Sequence, residues 1–322
     1  MLAAAPHFSV IIPVYNRASV LGAAIRSVLA QSCQDFEIVV VDDGSQDDPA
    51  SIVRAFGDPR IRFIAQENQG GGAARNTAID AAQGRFIAPL DSDDVFLSHH
   101  LHSMKALLER TGALAGYARI VVDRGKGRTF LKPPRAIREQ EDMDEYLLCA
   151  RGFVPTITLV VERTMASRVR YDVNLRAAED TDFAIRLSLA GCKFVMAQEP
   201  GAVWKDIADP HRTSAGAAAA RTERFGLWLE EMKPLMSRRA WRGGRGWAYA
   251  KMVARNGRKF TALKLYLSAL LHGCYSPRLV TIIFLQIFLN AGQYRRLADR
   301  AIGWLHIGLE KPEKPLSSLK KA

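Results

Sequence analysis

Asp91, Asp93 and Asp94 stand directly after a short apolar run, Arg85 to Leu90 (RFIAPL). Carboxylates this close repel one another unless a cation lies among them. Mg2+ and Mn2+ take oxygen ligands and commonly bridge one or two carboxylates to phosphate oxygens. The same aspartates would also serve as helix caps ahead of a helix over 95–108. A second acidic pair, Asp42-Asp43, is followed by Gly44-Ser45. It offers acceptors to a base or ribose, or it simply makes an N-capped turn. Gly70-Gly71-Gly72 leads into Ala73-Ala74-Arg75-Asn76. Small residues at a helix N-terminus let backbone N–H groups approach a phosphate. Arg75, one turn in, can then meet a carbonyl or phosphate, or it is a surface arginine beside a flexible loop. Glu179-Asp180 begins another helix. Either carboxylate can act as a general base if the fold carries it into a cleft, or it favours the helix N-terminus by charge alone. His211, in Asp209 to Ser214 (DPHRTS), sits in a polar loop after the last strand, where it can close over a diphosphate or a metal. His99, His100 and His102 lie at a helix start and read as surface residues.

The elements that must hold these groups alternate between two periods. Phe8 to Val14, Phe36 to Val41, Ile61 to Ala65 and Arg85 to Leu90 are short apolar runs without a polar face. Such runs predict strands of a parallel sheet covered on both sides. Between them, Ala18 to Gln31, Pro49 to Phe56 and the stretch after Gly70 carry apolar residues at helical spacing. In sheets of this kind ligands bind beyond the carboxyl ends of the strands. There stand Tyr15-Asn16, Asp42-Asp43, Gln69 to Gly72 and Asp91 to Asp94. Later strands are expected at Leu114 to Val122, Thr156 to Val161 and Lys193 to Ala197, and helices at Asp142 to Ala150 and Ala178 to Ala190. Beyond Arg221 only helical patterns follow, with breaks expected at Gly243-Gly244 and Ser276-Pro277, and Asn256 to Pro277 reads as a helical hairpin arm.

The chain has 322 residues, 48% hydrophobic and 24% charged, which excludes disorder as its main state and suggests two domains, or one large domain with an appendage. Its four cysteines form no paired spacing, so neither a disulfide scaffold nor a zinc signature is expected, and a reducing compartment is. No basic segment precedes an apolar leader. The longest apolar run, Leu279 to Leu289, has 11 residues, whereas a span needs ~20. A cytoplasmic location is therefore expected. Charge is uneven: residues 1–220 hold 25 Lys/Arg against 27 Asp/Glu, and residues 221–322 hold 20 against 6. A basic end segment of this kind suits an anionic membrane surface, a nucleic acid or a solvated helix face. The loop 124–138, with six Lys/Arg, faces an anionic acceptor or simply solvent.

Taken in order, SVIIPVYNR, EIVVVDDGSQD, QGGGAARNTAI, RFIAPLDSDD and AAEDTDFAIRL, across residues 8–195, resemble the family 2 glycosyltransferases. The resemblance implies an α/β protein of the GT-A fold: a Rossmann-like, mostly parallel sheet flanked by helices. It implies a nucleotide-sugar-binding catalytic domain over 1–220 and a basic helical extension over 221–322. It implies an inverting, metal-dependent hexosyl-type transferase using a nucleotide-diphospho-sugar, UDP being the commonest in the family. Pro13, Val14, Tyr15, Asn16, Asp42 or Asp43, Arg75 and Ser92 would then hold the nucleotide. Asp91 and Asp93, with His211, would hold Mn2+ or Mg2+, Asp93 being the direct ligand. Asp180 would be the general base, with Glu179 beside it. The acceptor would be a hydroxyl of an envelope glycan or lipid-linked molecule. Polymerising members carry QxxRW, which Gln293-Tyr294-Arg295-Arg296-Leu297 does not match, so transfer of one sugar or few is expected. The basic segment with its apolar run would give a peripheral contact at the inner face of the plasma membrane, or form a subdomain core or a dimer face. A nucleotidyltransferase fits poorly, because Val14 to Arg17 lacks the glycines of a phosphate loop after the first strand. A catalytically silent module, binding nucleotide and an anionic membrane or nucleic acid through the basic segment, is the alternative; nucleic acid is the less favoured partner.

Overall fold

The structure, a computed structural model, describes residues 5–125, 129–175, 178–206, 218–290, 292–294 and 296–297. His211 lies outside the described residues. Contacts divide the chain into two units, the first reaching to Ala136 and resuming at Val154, the second holding Ile137–Phe153 and the helices beyond 218. The division expected at 220 keeps 137–153 with the first part of the chain, whereas the structure packs that segment with the later helices.

The first unit begins with β1 (Phe8–Val14), α1 (Ala18–Leu29), β2 (Phe36–Asp42), α2 (Pro49–Arg54), β3 (Ile61–Ala65), α3 (Gly71–Ala81) and β4 (Phe86–Pro89). It continues with β5 (Val95–Phe96), α4 (His100–Thr111), β6 (Ala115–Asp123) and β7 (Thr129–Lys132). The chain then visits the second unit as α5 (Met143–Leu148) and returns as β8 (Val160–Glu162), α6 (Arg163–Val169), α7 (Glu179–Leu189) and β9 (Phe194–Lys205). The strands form one sheet in the order β3-β2-β1-β4-β8-β6-β9-β5, with β7 on β6. β3, β2, β1 and β4 run parallel, as their continuous apolar character predicts. Beyond β4 the sheet is mixed: β8 is antiparallel to β4 and β6, β9 parallel to β6, and β5 antiparallel to β9. Register sets Val14 beside Asp42 and Ile11 beside Pro89, so the loops leaving β1, β2 and β4 emerge along one edge.

Several expected elements differ in extent. The helix expected over 95–108 is split, because Val95 and Phe96 pair with Val203 and Ala202 of β9, and α4 starts only at His100. The strand expected at Lys193 to Ala197 runs on to Lys205. Thr156–Thr158 is a helical turn, held by the Thr158 hydroxyl donating to the Ala118 carbonyl at 2.8 Å, and the strand starts after it at Val160. Part of the expected basic loop is β7, paired to β6 with Ile120 opposite Lys132. His100 is not a surface residue. It is buried against Phe96, ring centroids 4.6 Å apart, and Gly201 lacks the Cβ that would collide with its ring. Burial, then neighbouring His99, lowers its pKa to about 3, so it packs as a neutral ring.

The second unit holds α5, α8 (Ala218–Met232), α9 (Arg238–Gly244), α10 (Ala250–Arg255), α11 (Lys259–Leu271) and α12 (Pro277–Phe288). A core of Val253, Ala262, Tyr266, Ala269, Tyr275 and Ile283 fills it. Gly243-Gly244 does not break the chain: a π-helical turn at Arg245–Tyr249 carries α9 straight into α10. The glycine serves packing there, since a Cβ on Gly243 would sit inside contact distance of the Cys149 sulfur. Among the described residues no helix is long and apolar enough to cross a membrane.

Candidate functional site

The site is built at the carboxyl edge of β1, β2 and β4. After β1 the backbone turns through Asn16, at φ 51°. Its N–H donates to Ser45 Oγ at 2.9 Å and its Oδ1 accepts from the Gln46 N–H at 2.7 Å, tying the loop after β1 to the loop after β2. Asn tolerates this left-handed backbone better than most residues. Pro13 and Tyr15 are half-buried and Val14 is buried beside Asp42.

The two aspartates after β2 divide their work. Asp42 is half-buried and accepts the Ser45 N–H at 3.0 Å, closing the turn. Asp43 is buried, and its carboxylate accepts from the Gln69 N–H (2.9 Å), the Gly70 N–H (2.8 Å) and Gln66 Nε2 (2.8 Å). It therefore moors the Gly-rich loop, where Gly70 (φ 95°) opens α3. That turn lies in a region closed to most side chains.

α3 delivers Arg75, which is buried. Its Nη2 lies 2.6 Å from Asp91 Oδ1 and its Nη1 lies 3.6 Å from Glu179 Oε1. The guanidinium carbon stands 5.4 Å from the ring centroid of Tyr171. Asn76 fixes the Tyr171 backbone: its Nδ2 donates to the Tyr171 carbonyl at 2.9 Å and its Oδ1 accepts the Tyr171 N–H at 2.8 Å. Tyr171 stacks in turn on Phe183 of α7, with centroids 4.1 Å apart. Phe183 stands one turn beyond Glu179, so this stack holds the start of α7 next to Arg75. One short chain of contacts thus brings residues from α3, the β4 loop and α7 to one place.

Charge at this place is strained in a defined sense. Burial opposes ionisation of Arg75, but Asp91, Tyr171 and Glu179 outweigh it and raise its pKa. Burial pushes Glu179 up, with only partial relief from Arg75. Burial pushes Asp180 up as well, against the Thr181 N–H, which donates to its Oδ1 at 2.7 Å, and against Arg75. A carboxylate that holds its proton more tightly than usual, in a cleft, has the character of a general base.

The aspartate cluster also divides. Asp94 is buried and accepts the Lys205 N–H at 3.1 Å, so it braces β9, and Ser92 is buried beside it. Asp91 and Asp93 stay 36% and 28% exposed, each facing an arginine, Arg75 and Arg17 (3.4 Å) respectively. Among the described residues no group of three or more His, Cys, Asp and Glu can cage a metal. Two partly exposed carboxylates at one strand end are oxygen donors of the type that Mg2+ or Mn2+ takes together with phosphate and water. Arg17, Asn76 and Tyr171 received no role in the sequence reading. Arg17 and Asn76 sit inside quoted motifs, beside residues that did. Tyr171 carried no signal, since 95 residues separate it from the asparagine that fixes it.

The family model described as Glycosyl transferase family 2 matches residues 9–163. The amylovoran biosynthesis glycosyltransferase AmsB of Erwinia amylovora is 31% identical over 245 residues, covering 72% of this chain and 79% of AmsB. This chain belongs to the family 2 glycosyltransferases. It is a glycosyltransferase, and its sheet is that of the GT-A fold. The succinoglycan biosynthesis protein ExoO of Rhizobium meliloti is 34% identical over 212 residues; the match spans 61% of this chain and 59% of ExoO. Among solved structures, residues 1–349 of S. aureus TarS in complex with UDP-GlcNAc superpose with a TM-score of 0.63 at 18% identity, covering 92% of this chain and 91% of that one. At that identity the likeness speaks to the fold.

Proposed function

We propose that this glycosyltransferase transfers one sugar, or few, from a UDP-sugar to a hydroxyl of an envelope polysaccharide or a lipid-linked precursor of it, by a single inverting displacement. The observation that carries the reading is Arg75, whose one guanidinium reaches both Asp91 after β4 and Glu179 on α7. A donor-side carboxylate and an acceptor-side carboxylate thereby meet at one guanidinium. The names of AmsB and ExoO support a polysaccharide acceptor, and the UDP-GlcNAc held by TarS supports a UDP donor.

In this reading Pro13 to Asn16 and Asp42 line the nucleotide's place, and Asp43 acts through the Gly-rich loop it moors. Asp91 and Asp93 would hold Mn2+ or Mg2+. When bound, that cation neutralises the charge gathering on the leaving diphosphate. Asp180 accepts the proton of the acceptor hydroxyl as its oxygen bonds to the anomeric carbon and the carbon–phosphate-oxygen bond breaks on the opposite face. Glu179, tied to Arg75, keeps the first turn of α7 in place. The raised affinity of Asp180 for a proton sets the acid limb of kcat above the ordinary aspartate range, with activity rising as pH climbs through it. UDP release from UDP-glucose or UDP-GlcNAc, coupled to acceptor glycosylation, tests the reading. Asp180→Asn should lower kcat by about 10²–10⁴-fold and leave UDP binding unchanged. Undiminished turnover in Asp180→Asn would overturn the assignment of the base.

A further inference from the structure

α11 is apolar on two opposite faces. Ala262, Tyr266 and Ala269 enter the core of the second unit. On the other side Phe260, Leu267 and Leu271 are 70%, 43% and 86% exposed. Their spacing, i, i+7 and i+11, places them in one stripe along about 17 Å of helix. Lys264 falls in the same stripe, its ammonium 4.7 Å from the Phe260 ring centroid. On α12, Phe284 is 40% exposed and packs on the core-facing Tyr266, ring centroids 5.7 Å apart. Single exposed apolar residues are ordinary; an aligned stripe marks a contact surface.

The charge around it has one sign. Residues 232–298 contain 13 Lys/Arg and no Asp or Glu. Arg255 at the end of α10, Arg258 and Lys259 at the start of α11, Lys264 in the stripe and Arg278 on α12 are all exposed.

We propose that this stripe docks on an anionic bilayer surface, with α11 lying in the headgroup plane. Leucine and phenylalanine enter the acyl boundary, while the flanking lysines and arginines reach phosphate headgroups. A second copy is a poorer occupant, because a two-fold contact would set this cationic surface against itself. Nucleic acid answers the charge but gives the leucines no apolar phase. The docking is a property of the second unit and stands apart from the donor chemistry, so its test needs no turnover.

Flotation of the full chain with vesicles tests it. The chain should rise with vesicles of mixed phosphatidylcholine and phosphatidylglycerol at low salt, be released by high salt, and stay down with phosphatidylcholine alone. Phe260→Ser with Leu271→Ser changes only exposed positions, and circular dichroism checks that the helices remain. That variant should lose affinity for the anionic vesicles by on the order of tenfold or more. Unchanged flotation of the folded variant would mean that charge alone binds, and would overturn docking through α11. Failure of the unaltered chain to float, or a dimer in sedimentation that Leu271→Ser abolishes, would also overturn it.

Discussion

Arg75 is the side chain around which the site is organised, and its supports are as informative as its contacts. Asn76 grips the Tyr171 backbone at two points, and Tyr171 fills the space between Arg75 and Phe183. Asn76→Ala leaves a buried N–H and a buried carbonyl without partners. It should cost about 2–3 kcal/mol in denaturant unfolding and lower activity as α7 shifts; unchanged stability would contradict the clamp. Asp180 supplies the opposite case. Its folded pKa is raised by burial, so below that pKa the folded state takes up a proton sooner than the unfolded chain does. Stability from this group is present at acid pH and lost as pH rises through the raised pKa. Asp180→Asn should therefore melt above the unaltered protein at neutral pH, with the gap closing as pH falls. A variant that melts lower at neutral pH would show that the carboxylate supports the fold instead of straining it. The sequence placed Asp42 and Asp43 at a strand end but could not divide their roles. Neighbours on a strand point in opposite directions, and only the fold shows that it is Asp43 which meets the N–H groups of residues 69 and 70.

At the scale of elements, buried parallel strands were legible because nothing but continuous apolar runs suits a sheet covered on both faces. β1 and β2 are buried where those runs predict, and β3 also falls where expected but is a half-buried edge strand. Elements past β4 were less so, since their limits depend on partners distant in sequence. Val95 and Phe96 are strand only because β9 extends to meet them. Gly243-Gly244 misleads in the other direction: a glycine pair reads as a break, yet here it permits α9 to pass close to Cys149 and Leu148. Gly243→Ala should improve intrinsic helix propensity and still destabilise, by about 1–3 kcal/mol, because the added methyl overpacks that contact. A gain in melting temperature would mean that the contact yields at little cost.

For the whole molecule, composition divides function between the units. The first carries almost balanced charge and the carboxylates of the site; the basic helices of the second carry the apolar stripe. Within the first unit, the edge holding Asp91, Asp93 and Arg75 is expected to bind a nucleotide-sugar together with a divalent cation. A thermal-shift panel of nucleoside diphosphates and nucleotide-sugars, with Mn2+ and with EDTA, tests it most directly. A ligand at 100 times its Kd should stabilise the fold by about 2.7 kcal/mol. The expected result is a rise with uridine nucleotides in Mn2+ that is lost in EDTA and in Asp93→Ala. No rise with any nucleotide, in protein shown to be folded, would contradict it.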